Sequence, residues 1–293
     1  MLGSLTLQAG RQEIVIAGGM ESMSNVPFYM KRGETPYGGV KLEDGILKDG
    51  LHDAYQPIHM GNCAENTAKK IEITREEQDG YAMDSYKRST QAANDGLLAQ
   101  ETVAVTVKRR KDVIEVTEDE EYKKVNFEKF GSLPTVFQKI GGTVTAANAS
   151  KLNDGAAACV LTTSALAQKM NLKPIARIVD FADAAVDPID FPIAPVYAMR
   201  KLLERAGIKK ENIAQWEINE AFSVVPLANI KMMDIDPKRV NIRGGAVSLG
   251  HPIGMSGARI VNSLALHLKP GEYGVASICN GGGGASAVLV QKL

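Results

Sequence analysis

Two pairs of matching segments constrain the fold of this 293-residue chain more than any other feature. Residues 12–19 (QEIVIAGG) and 273–282 (YGVASICNGG) are apolar, strand-like runs that end in paired glycines. Residues 152–163 (LNDGAAACVLTT) and 281–292 (GGGGASAVLVQK) place small residues before a run typical of a buried strand. This repetition predicts two copies of one unit. The segment before Gln12 is too short to supply the strands of its counterpart, so we expect the first copy to be incomplete. Its run at 12–19 predicts a fully buried strand that stops at a tight turn.

Strand-like and helix-like segments alternate through the last part of the chain. From Lys173 onward this alternation is typical of a layered α/β domain. The middle of the chain is richer in polar and charged residues and predicts an inserted, more exposed region of loops and polar helices. We therefore divide the chain into a remnant of the first unit (1–29), the inserted region (30–145), a returning strand and helix (146–171) and the second unit (172–293).

Charge and cysteine content exclude several classes of protein. Lys plus Arg and Asp plus Glu number 34 each, so no excess of charge favours a nucleic acid or an anionic membrane as partner. Three cysteines without a CxxC pair are a poor set for a secreted disulfide framework and predict a reducing, intracellular compartment. No apolar run reaches the roughly 18 residues that would span a bilayer, so we expect no membrane insertion.

A glycine-rich loop near the C-terminus places one histidine beside a helix start. In residues 241–259 (NIRGGAVSLGHPIGMSGAR) the glycines permit close backbone approach, and Pro252 restricts the residue after His251. The following helix is expected to begin at about Ser256. His251 is therefore a candidate catalytic residue, and the alternative is a structural histidine in a turn.

Two further segments could carry chemistry. Cys279 ends a strand pattern and precedes a glycine run, whose backbone N–H groups could bind an anion and shift the thiol toward thiolate. A buried cysteine before a loop explains the same pattern. Residues 217–222 (EINEAF) follow another strand pattern, where Asn219 could fix a water or an imidazole and Glu220 could cap a helix start. Capping alone explains this segment equally well.

Seven segments in a fixed order resemble the thiolases, enzymes that join or split acyl groups on coenzyme A. They span essentially the whole chain and are GGMESMS, HMGNCAENTA, EEYKKVNF, GTVTAANASKLNDGAAA, INEAF, GGAVSLGHPIGMSGAR and CNGGGGASA. The chain most resembles the acetyl-CoA C-acetyltransferase type, through DFPIAPVYA and TAANAS. The resemblance implies the α/β thiolase fold, layered α/β/α/β/α in duplicated halves with an inserted loop domain. It implies the interconversion of two acetyl-CoA with acetoacetyl-CoA and coenzyme A, and thiolysis of the 2-methyl-branched substrate.

The resemblance also implies catalytic roles. His251 matches the histidine that activates the nucleophile and binds the thioester oxygen, and Cys279 matches the acid/base that removes or returns the α-proton. Asn219 matches the asparagine that holds the water of one oxyanion hole, and the backbone N–H of Gly281 matches a donor of the other. An enolate beside a thioester requires such donors next to a base.

Thiolases place their nucleophile in a Cys-Ala-Ser-Gly type sequence at the head of the helix that leads into the GGMES strand. That position falls upstream of Met1, so we expect this chain to lack the nucleophile and to be inactive or nearly so. Cys63 lies in the inserted region and Cys159 in a buried strand pattern, and neither matches the nucleophile.

Sites for coenzyme A and for a potassium ion are implied in the same way. The positions that match contacts to coenzyme A or to the acyl group are His59, Met60, Tyr86, Lys124, Val125, Asn126, Lys129, Ser150, Phe191 and Pro192. The positions that match a potassium site are Tyr86, Ala146, Ala147, Ala149 and Val247, and four of them offer backbone oxygens. Lysines fit phosphate groups, although a solvated charged face explains the same lysines. Lys124 and Asn126 stand where the family usually has Arg and Asp.

The resemblance further implies coenzyme A thioesters as substrates, a homo-oligomer that is a tetramer, and a mitochondrial location, with the cytoplasm as the alternative. No covalently attached cofactor is expected. A second interpretation is a subunit that binds coenzyme A without catalysis. A third is a related condensing enzyme or a carrier-type thiolase.

Overall fold

Helices and strands alternate along most of the chain in the structure, a computed structural model that describes residues 1–109 and 112–293. The helices in these ranges are α1 (Leu2–Gln8), α2 (Met60–Ile71), α3 (Arg75–Asn94), α4 (Ser164–Lys169), α5 (Ala194–Ala206), α6 (Val224–Met233), α7 (Ala246–Leu249) and α8 (Ser256–His267). The strands are β1 (Ile14–Ser22), β2 (Phe28–Tyr29), β3 (Glu43–Asp44), β4 (Val105–Arg109), β5 (Asp112–Val116), β6 (Asp154–Thr162), β7 (Ala176–Ala185), β8 (Ile213–Ile218), β9 (Tyr273–Asn280) and β10 (Gly284–Lys292). Within the same ranges no helix is long and apolar enough to cross a membrane.

A four-stranded mixed sheet forms the centre of the C-terminal part, with the strand order β7-β10-β9-β8. β10 pairs antiparallel with β7 and β9, and β8 runs parallel to β9. Side chains of β9 alternate between the faces: Val275 lies in the main core, which also contains α5, and Ala276 packs against Leu264 and Leu268 at the end of α8. Helices therefore cover both faces, as the alternating sequence patterns predicted.

The repeated segments have the same pairing in both halves. β1 and β6 form a two-stranded antiparallel sheet, as β9 and β10 do within the larger sheet. The prediction that the first strand stops at its paired glycines is wrong, because β1 continues through Gly18 and Gly19 to Ser22. The glycines instead permit close approach: a Cβ on Gly19 would lie 1.8 Å from the carbonyl oxygen of Gly254.

The two-stranded sheet is also less buried than its apolar sequence predicted. Exposed and half-buried residues alternate along β1, and Ile16, Met20 and Val160 are 77%, 68% and 69% exposed on one face. Alternation places successive side chains on opposite faces, so only the other face lies against the rest of the molecule.

Helices α1 and α8 lie on the inner face of this small sheet. Gly3 of α1 approaches Val15 and Leu161, and α8 contacts β1 and β6 as well as β8, β9 and β10. The layers therefore run from α5 through the four-stranded sheet to α1 and α8 and then to the two-stranded sheet. This order confirms the predicted layered α/β architecture with duplicated halves.

The helices of the inserted region pack more deeply than their polar sequence predicted. A capping box begins α3: Glu77 N donates to Thr74 Oγ1 at 3.2 Å, and Thr74 N donates to the Glu77 carboxylate at 2.6 Å. α2 lies in the main core, where the buried carboxylate of Glu65 accepts from the backbone N–H groups of Thr143 and Val144 at 2.9 Å each. Greater exposure is found in the β4–β5 hairpin instead, where every residue of β5 is exposed.

Replacing Gly19 by Ala tests the close approach of β1 to the loop after His251. The new methyl group would overlap the Gly254 carbonyl oxygen, so we expect the free energy of unfolding to fall by about 1–3 kcal/mol. Gly80→Ala is the matched control, since nothing lies within 4 Å of a Cβ there and the position is in α3. Urea denaturation should show the control stabilised by roughly 0.5–1 kcal/mol. Equal effects of the two substitutions would contradict the packing described here.

Candidate active site

The loop between α7 and α8 carries His251 on a tightly constrained backbone. Gly250 has a φ of +96°, and a Cβ on this residue would lie 2.0 Å from the side-chain amide of Asn153. Only glycine fits such a position without strain. The backbone N–H of His251 then donates to the carbonyl oxygen of Lys151 at 2.9 Å, which ties the loop to the segment before β6.

The imidazole of His251 has a hydrogen-bond partner at each ring nitrogen. Ser256 Oγ lies 2.6 Å from Nδ1 and donates its own proton to the carbonyl oxygen of Pro252 at 3.0 Å. We assign the imidazole proton to Nδ1, because the Ser256 hydroxyl donates to Pro252, and Nε2 then accepts from Asn219 Nδ2 at 3.2 Å. Burial lowers the pKa of His251 to about 4 and leaves a neutral ring with a basic Nε2. The sequence marks Ser256 only as a helix start, so its role emerges from the structure.

Asn219 connects His251 with the strand of Cys279. It follows the end of β8, and its backbone N–H donates to the carbonyl oxygen of Ser277 in β9 at 2.9 Å. Asn219 and Cys279 thus lie at the C-terminal ends of two parallel strands, the edge at which open α/β sheets bind ligands.

Cys279 is buried opposite Ala285 of β10 and shares the main apolar core with Met60. Burial raises the pKa of its thiol to about 12. The thiol is therefore not shifted toward thiolate in this structure, because desolvation outweighs the backbone hydrogen bond that lowers its pKa. A protonated thiol is suited to returning a proton to a carbanion.

The glycine run after Cys279 has a backbone that other residues cannot readily adopt. Gly282 and Gly283 have φ values of +78° and +87°, and a Cβ on Gly283 would lie 2.0 Å from the carbonyl oxygen of Val186. The N–H of Gly282 donates to Asp53 Oδ2 at 3.1 Å. One donor of the run is therefore used within the protein, and the assignment of Gly281 to an oxyanion hole stays a prediction.

Glu220 is buried and accepts hydrogen bonds from four donors. They are Tyr81 Oη at 2.8 Å, Ser85 Oγ at 2.8 Å, Asn241 Nδ2 at 3.0 Å and Val247 N at 3.1 Å. Val247 lies in the first turn of α7, so Glu220 caps α7 and not the helix that follows it in sequence. This carboxylate joins the inserted region to the loop before His251.

A buried ion pair lies behind Asn219. Arg243 Nη2 is 2.8 Å from Glu217 Oε1, and both side chains are less than a tenth exposed. Burial raises the pKa of Glu217 to about 7 even beside this arginine. A cavity of about 30 Å³, enough to hold an ordered water, is lined by Glu217, Asn219 and Ser256. Sequence analysis missed this pair, because the two charges are not close in sequence.

Apart from Tyr86, which lies in a separate apolar cluster, the residues predicted to contact coenzyme A form two groups. The surface group is exposed or half-buried and comprises Lys124, Val125, Asn126, Lys129 and Ser150. Lys124 Nζ is already paired with Glu121 at 2.6 Å. Asn126 Oδ1 accepts from Glu128 N at 3.0 Å and so begins a short 3-10 helix. Lys129 is an exposed cation on this surface.

The second group lies inside the molecule and comprises His59, Met60, Phe191 and Pro192. His59 Nδ1 accepts from Gly61 N at 2.9 Å and caps α2, and its ring stacks on Phe137 with centroids 4.6 Å apart. Met60 and Phe191 belong to the same apolar core as Cys279. The structure thus brings the predicted pocket floor to the predicted acid/base thiol.

The predicted potassium position is taken by a lysine side chain. One apolar cluster contains three of the five predicted ligands, Tyr86, Ala147 and Val247. Lys151 Nζ donates to the carbonyl oxygens of the other two, to Ala149 at 2.9 Å and to Ala146. Burial lowers the pKa of Lys151 to about 8 and Glu121 raises it, so the amine is mainly charged near neutral pH. An ammonium and a potassium ion repel each other at the same oxygens, so the residues present do not fit the expected ion.

The two other thiols lie on α2 and on β6. Cys63 is fully buried in α2, and burial raises its pKa to about 11. Cys159 of β6 lines a cavity of about 320 Å³ beside α8, whereas Asn219 and Ser256 line a different one. Within the described residues, the hydrogen-bond partners of the His251 ring are Asn219 and Ser256.

Two protein-family models match this chain and together cover nearly all of it. The model of the thiolase N-terminal domain matches residues 1–165, and the model of the thiolase C-terminal domain matches residues 172–292. The chain belongs to the thiolase family. Thiolases are enzymes, and the interpretation of the sequence as that of an enzyme is confirmed at this level.

Curated thiolases are similar over the whole of this chain. The mitochondrial acetyl-CoA acetyltransferase of Xenopus tropicalis is 68% identical over 295 residues, which cover 100% of this chain and 70% of that protein. The human mitochondrial acetyl-CoA acetyltransferase is 66% identical, with coverage of 100% and 69%. A thiolase from Ascaris suum, solved in complex with coenzyme A, has a TM-score of 0.96 and 53% identity, with coverage of 100% and 75%. These similarities confirm the predicted thiolase fold.

Replacing His251 of this thiolase by Asn tests whether the imidazole is buried in its neutral form. Its pKa is about 4 in the folded state against 6.5 for an exposed histidine, so the unfolded chain takes up the proton first as pH falls. The stability that the neutral ring contributes is complete above about pH 6.5 and is lost toward about pH 4. We expect the wild type to lose about 1–3 kcal/mol more than His251→Asn over this range in urea denaturation. The control, His52→Asn, changes an exposed histidine and should follow the wild type. Equal losses in His251→Asn and the wild type would contradict the burial.

Proposed function

We propose that this thiolase is of the acetyl-CoA acetyltransferase type, whose reaction interconverts two acetyl-CoA with acetoacetyl-CoA and coenzyme A, and that the residues of this chain supply the acid/base and oxyanion part of that reaction. The observation that carries the proposal is the position of the His251 imidazole. Its basic Nε2 faces Asn219, and Asn219 is bonded through its backbone to β9, the strand that carries Cys279. Relatives 66–68% identical to this chain are named acetyl-CoA acetyltransferases, and this supports the same chemistry. The coenzyme A bound in the Ascaris suum structure supports the same class of substrate.

The resting protonation states suit the direction of thiolysis. A thiol that loses its proton attacks the 3-keto carbon of acetoacetyl-CoA and forms a carbon–sulfur bond; the bond between C2 and C3 then breaks, its electron pair passes to C2, and the acetyl group stays on the attacking sulfur as a thioester. His251 Nε2 accepts the proton of the attacking thiol, and Ser256 stabilises the resulting imidazolium through Nδ1–H. The water held by Asn219 stabilises negative charge on the thioester oxygen of the enolate, and the backbone N–H of Gly281 stabilises the charge on the oxygen of the 3-keto carbon. Cys279, protonated at rest, returns a proton to C2 of the departing enolate and gives acetyl-CoA.

The covalent step requires a thiol that can reach His251 Nε2. Cys63 is enclosed in the core, and Cys159 lines a separate cavity. Under this proposal neither thiol is the nucleophile, and the residues of this chain supply the acid/base and oxyanion part of the reaction. We therefore expect proton transfer at the α-carbon to proceed in the 293-residue chain, and thiolysis by the same residues to be slower by orders of magnitude.

Substrate binding is proposed to use both groups of predicted contacts. Lys129 is an exposed cation suited to a coenzyme A phosphate, and Ser150 lies near the proposed pantetheine arm. Phe191 and Pro192 form the place where a 2-methyl branch would be accepted. The names of the relatives support a mitochondrial location. The tetramer and the four-part division of the chain remain predictions from the resemblance and the sequence.

A subunit that binds coenzyme A without catalysis is the second candidate. The high pKa of Cys279 and the positions of the two other thiols favour it. The candidates differ in one respect, since only the acetyltransferase type needs the acid/base residues. Calorimetry with coenzyme A measures binding alone, and binding without any proton transfer to acetyl-CoA would favour the second candidate.

Exchange of the acetyl-CoA methyl protons in D₂O, followed by proton NMR, tests the proposed acid/base role of Cys279. The reaction requires an acid/base thiol beside the oxyanion donors but no covalent intermediate. We expect the wild-type chain to catalyse exchange and Cys279→Ser to lower the rate by about 10²–10⁴-fold.

Cys159→Ser is the matched control, because it removes the same group from β6 and should leave exchange unchanged. Exchange that survives in Cys279→Ser would contradict the role of this thiol. A thiolysis assay with acetoacetyl-CoA should show little turnover by this chain. Full thiolysis would contradict the proposed positions of the remaining thiols.

A further inference from the structure

The loop of residues 145–151 is folded so that carbonyl oxygens converge on one side. Asn148 fixes the turn: its Oδ1 accepts from Thr145 N at 2.8 Å, and its Nδ2 donates to Asp79 Oδ1 at 2.8 Å and to Thr143 O at 3.0 Å. Asn148 and Thr145 are completely buried. The turn is therefore held in part by contacts to α3 and to its own backbone.

Two carbonyl oxygens of this turn need a positive partner. Those of Ala146 and Ala149 both accept from Lys151 Nζ. Oxygens held close together with parallel dipoles repel each other, and a cation between them relieves the repulsion. The ammonium therefore has the surroundings of a bound monovalent cation.

Lys151 also connects this turn to the active site. Its carbonyl oxygen accepts from the backbone N–H of His251 at 2.9 Å. Ser150 N donates to Ala221 O at 3.1 Å, close to Asn219 in sequence. One residue thus holds the turn through its side chain and the histidine loop through its backbone.

We propose that the Lys151 ammonium is a tethered replacement for the monovalent cation at this turn, so that the turn and the His251 loop keep their structure without added potassium. The ammonium would then take the place of the potassium ion that the resemblance implies, whether or not the chain completes thiolysis. Its prediction concerns stability: the wild type should be indifferent to potassium, and a chain without the ammonium should acquire a potassium response.

Thermal unfolding in potassium chloride and in choline chloride at equal ionic strength tests this. We expect one midpoint for the wild type in both salts. Lys151→Ala should unfold roughly 3–8 °C lower in choline chloride, because charge-assisted hydrogen bonds are lost, and potassium should restore part of the difference. The control is Lys173→Ala, which removes an exposed lysine and should change neither the midpoint nor the salt response.

Two results would overturn the proposal. One is a wild type that potassium stabilises above choline. The other is a folded Lys151→Ala chain that is indifferent to potassium, which would make Lys151 an ordinary surface contact. If the variant does not fold, wild-type crystals soaked in thallium(I) decide the question. Anomalous density between the oxygens of Ala146 and Ala149 would contradict the proposal, and the lysine amine alone at this position would support it.

Discussion

The buried carboxylate of Glu220 is the contact on which the geometry of the site depends. It joins α3 to the end of β8 and to the first turn of α7, and these elements are far apart in sequence. Asn241, one of its donors, also bonds the backbone of Ile218. Its Oδ1 accepts from Ile218 N at 2.8 Å, and its Nδ2 donates to Ile218 O at 2.7 Å. Burial raises the pKa of Glu220, each of its hydrogen bonds contributes about 0.5–1.5 kcal/mol, and removing the carboxyl group would leave its buried donors unsatisfied. The separation of Asn219 and His251 follows from this arrangement.

Burial sets the protonation states of both proposed catalytic groups in the same way. It lowers the pKa of His251 to about 4 and raises that of Cys279 to about 12, so both groups are neutral at rest. A neutral base and a neutral acid are the forms that thiolysis requires at its start. The condensing direction requires the opposite pair, an imidazolium and a thiolate. Bound substrate must therefore supply the interactions that stabilise charge in this site, and preorganised donors allow this without large rearrangement.

Much of the fold could be predicted from the local sequence, because a strand and the glycines beside it form a recognisable pattern within a few residues. The same is true of the His251 loop, whose glycines are required where the backbone packs closely against other residues, as Gly250 does against Asn153. The exposed face of β1 could not be predicted, since alternation identifies two faces but not which one is covered. The bond from Tyr81 to Glu220 joins residues 139 positions apart, and no local pattern encodes such a partner. Ser256 shows the same limit: its sequence context indicates a helix start, and only the fold brings its hydroxyl to Nδ1.

Lys151 shows how one side chain can alter the dependence of a site on its surroundings. A free cation loses translational freedom when it binds, and its occupancy follows its concentration. A lysine amine on the same turn is always present once per chain. Fixing its position costs only the entropy of the side chain. It does not adapt its position as an ion does, so the carbonyl oxygens of Ala146 and Ala149 must be fixed by other contacts first. The buried Asn148 amide supplies those contacts, and the order of the turn then depends on the sequence of the chain and not on the salt around it.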